Sequence, residues 1–111
     1  MKKTPFRKHE AILRILAKGK PSVVRAIINE SKTDLINLLS QCALNILNGN
    51  VVLNNRHKKR LKKYVKGLRK LASKKTSLKS RKNIIQQGGF VGALLGAVLP
   101  TLIGGIVNKL I

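Results

Sequence analysis

The chain has 111 residues, 24 Lys or Arg against only 3 Asp or Glu, and a formal net charge of +21. That length holds one small domain at most, and a charge so one-sided calls for a polyanionic partner, either nucleic acid or an anionic membrane surface. One cysteine, Cys42, excludes an internal disulfide, and its place in an apolar helical pattern reads as a buried small hydrophobe. The short apolar stretch at residues 11–17 is broken by Arg14 and is no secretory signal.

Three regions follow in order: a small helical region (1–50), a basic helical nucleic-acid-binding region (51–87) and a Gly/Ala-rich hydrophobic tail (88–111). In the first, apolar spacing predicts a helix from about Phe6 to Lys18, stopped by Gly19. Pro21 suits a first helical turn, and Val23, Val24, Ile27 and Ile28 continue a second helix. Thr33 or Ser31 is expected to cap a third, with Asp34 in its first turn. Its apolar face is Leu35, Ile36, Leu38, Leu39, Cys42, Ala43, Ile46 and Leu47, with Leu39 and Ile46 expected to be buried, and Asn48-Gly49 ends it. These three helices are expected to supply the whole core.

The basic region carries 14 Lys or Arg and no acid from Arg56 to Lys82. Asn54 or Asn55 is expected to cap a helix running to about Ser73, on which Leu61, Tyr64, Val65, Leu68, Leu71 and Ala72 form one apolar stripe. Gly67 interrupts that stripe and weakens the helix by about 1 kcal/mol relative to Ala. Ser77 starts a second short basic helix that includes Ile84 and Ile85. A solvated charged face normally mixes signs. Like charges four residues apart repel, so contact with phosphate and release of counterions explain this run better. The nucleic-acid-binding candidates are Arg56, Lys58, Lys59, Arg60, Lys62, Lys63, Lys66, Arg69, Lys70, Lys74, Lys75, Lys79, Arg81 and Lys82. With Tyr64 the only aromatic among them and few Asn or Gln, neither a stacking platform nor base-edge readout is expected. Binding is therefore expected to follow the phosphate backbone without sequence preference, with double-stranded DNA as the leading partner and RNA or capsid acids as further candidate polyanions. The same run also fits a nuclear localisation signal.

From Gly88 to Asn108 nothing is charged, and Phe90 to Val107 would span roughly 27 Å as a helix, just enough to cross a bilayer core. The tail has three open readings: a transmembrane helix, a membrane-active segment, or a hydrophobic self-association tail that packs against other protein. Gly92 and Gly96 allow close helix approach, and Pro100 would kink a helix. The candidate membrane residues are Phe90, Leu94, Leu95, Val98, Leu99, Leu102 and Ile103. No catalytic or metal-binding constellation is present: His9 and His57 sit among cations, and no cysteine or carboxylate cluster, phosphate loop or acid pair accompanies them. The expected fold is all-α, a small helical bundle followed by basic helices and a hydrophobic C-terminal helix. No enzyme activity and no cofactor are expected.

From about Leu35 onward, an apolar helix, Asn-Gly-Asn-Val, RHKKRLKKYVKGLRKLASKKTSLKSRK, QQGGF and a Gly/Ala/Leu tail occur in succession. This pattern resembles the small basic proteins of Maverick (Polinton) elements and adintoviruses, which have been likened to the adenovirus core protein X, the precursor of mu. The resemblance implies a DNA-condensing virion core protein, present in the virion and in the host nucleus during assembly, with capsid proteins and a viral cysteine protease as partners. Proteases of the adenovirus type cut after Gly-Gly when Gln or an apolar residue lies two positions before the pair. Gln86-Gln87-Gly88-Gly89 and Leu102-Ile103-Gly104-Gly105 both fit, making Gly88, Gly89, Gly104 and Gly105 candidate processing positions. Two features depart from a plain mu-like peptide: the apolar N-terminal helices and a composition richer in Lys than in Arg.

Overall fold

The computed structural model describes residues 5–18 and 20–99, which form helices joined by short turns, with no strand among them. In chain order the helices are α1 (Pro5–Ala17), α2 (Pro21–Glu30), α3 (Thr33–Leu47), α4 (Asn55–Lys62), α5 (Val65–Ala72) and α6 (Leu78–Ile85). A further helix, α7, occupies residues 90–99. Gly19, Pro100, Leu102, Ile103, Gly104 and Gly105, to which sequence reasoning gave roles, lie outside the described residues.

The all-α expectation holds, and the punctuation follows local chemistry. Pro21 stands at the start of α2, where a missing N–H costs nothing. Gly49 takes the left-handed conformation (φ 75°) just after the Asn48 C-cap of α3. Asn54 caps α4, its side chain accepting from the His57 N–H, and Ser77 caps α6 by accepting from the Ser80 N–H. The cap expected at Ser31 or Thr33 does not form. Lys32 occupies the N-cap of α3 without a side-chain bond, and the Ser31 hydroxyl instead donates to the Ile27 carbonyl, within the last turn of α2.

The core is not confined to α1–α3, which corrects the sequence expectation. One cluster joins Leu13, Leu16, Val24, Ile28, Leu35, Ile36 and Leu39 to Leu61, Leu68, Leu71, Ile84 and Ile85, and also to Phe90, Leu94, Leu95 and Val98. Among α1–α6 the most extensive helix pairing is α3 against α5, across the boundary between the first two composition regions. Leu39 is fully buried as expected, whereas Ile46 is only half-buried at the edge of the cluster. Eight-residue helices such as α4, α5 and α6 would not persist alone in water. Leu61, Leu68, Leu71, Ile84 and Ile85 hold them in place by burial.

The basic segment also breaks where the sequence did not indicate. α4 ends at the Lys63-Tyr64 turn, and Gly67 lies inside α5. Gly67 is there for close packing: a β-carbon added to it would lie 3.0 Å from the Phe90 ring and 3.3 Å from Ile84. Its bare backbone lets α7 and α6 close onto α5. The Phe90 ring also meets Tyr64 edge to face, with centroids 5.7 Å apart and planes at 85°.

The turn between α6 and α7 is fastened to the same tyrosine, whose hydroxyl donates to the Gly88 carbonyl at 3.2 Å. Gly89 has φ 80°, and a β-carbon on it would lie 2.6 Å from the Tyr64 hydroxyl, whereas one on Gly88 would meet nothing within 4 Å. Gly89→Ala is therefore expected to cost about 1–2 kcal/mol from the backbone alone, with displacement of Tyr64 in addition. Gly88→Ala is expected to leave stability within about 0.5 kcal/mol. Paired thermal melts of the two variants check this, and equal losses would contradict the turn geometry.

Candidate nucleic-acid interface

The cations of the basic region have a shared structural cause for facing outward. On α4, α5 and α6 the positions Leu61, Leu68, Leu71, Ile84 and Ile85 are committed to the core, so most of the intervening Lys and Arg side chains point to solvent. Arg56, Lys58, Lys59, Arg60, Lys62, Lys63, Lys66, Arg69, Lys70, Lys74, Lys75 and Lys79 are all exposed. Asn55, Arg56, Lys58, Lys59 and Lys62 line an open recess along α4. Several cations fall in last turns, namely Lys59, Arg60 and Lys62 on α4 and Arg69 and Lys70 on α5. There the helix dipole favours positive charge and offsets part of the mutual repulsion.

No acid follows Asp34 in the sequence, and Glu10 pairs with Arg14 at 3.0 Å on α1. Three acids cannot neutralise this surface from within the chain. The field it projects is therefore positive and open to anions.

Two of the candidate residues are placed differently. Arg81 is half-buried, donating from Nη2 to the Ser73 carbonyl at 2.7 Å and from Nη1 to Asn37 Oδ1 at 3.3 Å, while its Nε is buried without a hydrogen-bond partner. Lys82 Nζ donates to the Asn29 carbonyl at 3.3 Å, and Gln86 Nε2 donates to Asn29 Oδ1 at 2.8 Å. Arg81 and Lys82 thus tie α6 to α3 and to the end of α2, and fix the surface rather than extend it. Asn29, Asn37 and Gln86 carried no signal in the sequence, because a polar residue on a helix face looks alike whether it meets water or a helix more than forty residues away. Arg60 is exposed but passes beside α7: a β-carbon on Gly96 would lie 3.7 Å from its Nη1.

Of the residues proposed to touch membrane, those that the structure describes pack into or against the core, while Leu102 and Ile103 lie outside the described residues. Phe90, Leu94 and Leu95 are fully buried, Val98 nearly so, and Leu99 is half-buried. Among the described residues no helix is long and apolar enough to cross a membrane. Gly88 and Gly89 are exposed in the α6–α7 turn, one residue before the buried Phe90. Burial pushes the Cys42 thiol up to about 12, so it stays protonated at neutral pH. No group of three or more His, Cys, Asp or Glu able to hold a metal occurs among the described residues. Comparison with protein-family models, with curated proteins and with solved structures gives no match.

Proposed function

We propose that this protein binds double-stranded DNA without sequence preference and compacts it, acting through Lys and Arg contacts to phosphate. The observation that carries the reading is the set of twelve exposed cations on α4, α5, α6 and their connecting turns, in a stretch that holds no acid. Phosphate neutralisation relieves their mutual repulsion and releases counterions from the duplex. The rigid backing of α3 and α7 keeps the cations on a preformed surface, so little ordering accompanies binding. The resemblance to the Maverick/Polinton and adintovirus basic proteins supports a place in a virion core, with assembly in the host nucleus. It also supports processing at Gly88-Gly89 by a viral cysteine protease.

The membrane-active reading requires Phe90, Leu94, Leu95 and Val98 to leave the core first, and their burial favours the DNA reading over it. The test is a comparison of random and defined duplexes of equal length at one salt concentration. Affinities within a few-fold of one another are expected. A preference above about a hundredfold for one sequence would overturn the proposal, because a protein that touches only phosphates has no means to produce it.

A further inference from the structure

Between α5 and α6 the chain runs Ser73-Lys74-Lys75-Thr76-Ser77 without helical structure, inside the basic surface. Its hydroxyls differ in their surroundings. Ser73 is half-buried; its Oγ accepts the Lys75 N–H and its carbonyl accepts Arg81. Thr76 is half-buried. Ser77 is exposed, with exposed Lys74 and Lys75 three and two positions before it and exposed Lys79 two positions after it. Ser80 is exposed as well, but it lies within α6 and has Ser77 and Leu78, not cations, at those preceding positions. Protein kinases that select basic substrates read cations two and three residues before the acceptor, with the chain in a non-helical form. Ser77 has both cations, and it and the four residues before it are non-helical, with α6 beginning one residue later.

We infer that Ser77 is a phosphorylation site for a basic-directed serine/threonine kinase, and that its phosphate lowers the affinity of the surface for DNA. The inference about DNA rests on the function proposed above; the modification site does not. In the step, Ser77 Oγ bonds to the γ-phosphorus of a nucleoside triphosphate and the bond from that phosphorus to the β–γ bridging oxygen breaks. The hydroxyl proton passes to the kinase, and nucleoside diphosphate leaves. The product suits its place. Ser77 Oγ already accepts the Ser80 N–H at 3.2 Å and donates to Ser80 Oγ at 3.1 Å, at the start of α6. A phosphate there meets the positive end of the helix and the neighbouring lysines, so it tightens the cap. It also adds about −1.5 to −2 charge at pH 7 beside cations otherwise available to DNA.

The experiment treats the full-length folded protein with such a kinase and ATP, maps the phosphate by mass spectrometry, and compares the two forms by thermal melting and by duplex binding from 50 to 200 mM salt. Ser77→Asn is the control, since it keeps a capping oxygen and removes the acceptor hydroxyl. The expected result is phosphate at Ser77 and none at that position in the variant. The modified form should melt at a higher temperature, and its log–log salt slope should be shallower by about two. Absence of phosphate at Ser77 in the folded protein overturns the inference, as does a phosphorylated form with unchanged slope and melting. If the unmodified protein fails to bind duplex, the DNA reading falls, and the mapped site with its raised melting temperature still decides the modification.

Discussion

Phe90→Ala is expected to unfold the protein along its whole length, not only its C-terminal part. The ring is fully buried, packs on the bare backbone of Gly67 and contacts the Tyr64 ring. Truncating a buried phenylalanine costs about 3–5 kcal/mol. A domain of this size has roughly 5–15 kcal/mol in total, and one with a net charge of +21 is expected toward the lower end. A fall of roughly 15–30 °C in melting temperature follows, or outright loss of helicity at 25 °C. Far-UV circular dichroism with thermal melting measures it. Unchanged melting would mean that residues 90–99 do not complete the core. The same burial changes what a truncation means. From the sequence alone, residues 1–89 look like a self-sufficient DNA binder with a detachable tail. In the fold, removing the tail takes away Phe90, Leu94, Leu95 and Val98, and with them the backing of α5 and α6.

The second large effect is expected from salt. If the exposed cations engage about six to ten phosphates, affinity for duplex DNA should fall by roughly 10³–10⁵ between 50 and 200 mM salt. Replacing Lys58, Lys59, Lys62 and Lys63 together with Gln should reduce the log–log slope by about four, one for each phosphate no longer neutralised. These side chains are exposed and outside the core, so helicity should be retained. Gln in place of Arg81 and Lys82 is expected to act through stability instead, because those two side chains hold α6 against α2 and α3. Fluorescence titrations at several salt concentrations, with a melt of each variant, separate the two effects. A slope near zero for the wild-type protein would show that phosphate is not what the surface binds.

Much of this fold is written locally. Apolar spacing gives α1, α2 and α3; Gly49, Asn54 and Ser77 mark helix boundaries by short-range geometry and capping that any neighbour would leave intact. The cationic residues of α4 and α5 are equally legible, since alternation with Leu61, Leu68 and Leu71 decides which side faces out. What the sequence hides is how distant segments meet. Gly67 looks like a weak point in a helix until Phe90, twenty-three positions on, is seen against it. A charge-free run of Gly, Ala and Leu has the same pattern whether its partner is lipid or the apolar faces of its own helices, so the position of residues 90–99 was not decidable from periodicity. Arg81 reads as one more cation in a basic run, and only the carbonyl of Ser73 and the amide of Asn37 set it apart.

The fastening of Tyr64 to the α6–α7 turn has an optical consequence. The chain has one tyrosine and no tryptophan, so its near-ultraviolet circular dichroism and phenol emission arise chiefly at one place. That place touches the Phe90 ring on one side and the Gly88 carbonyl on the other, where the cationic helices meet the apolar one. A native, label-free signal therefore reports whether those two parts of the molecule are joined, through heating, through DNA binding, or through a cut in the turn beside it.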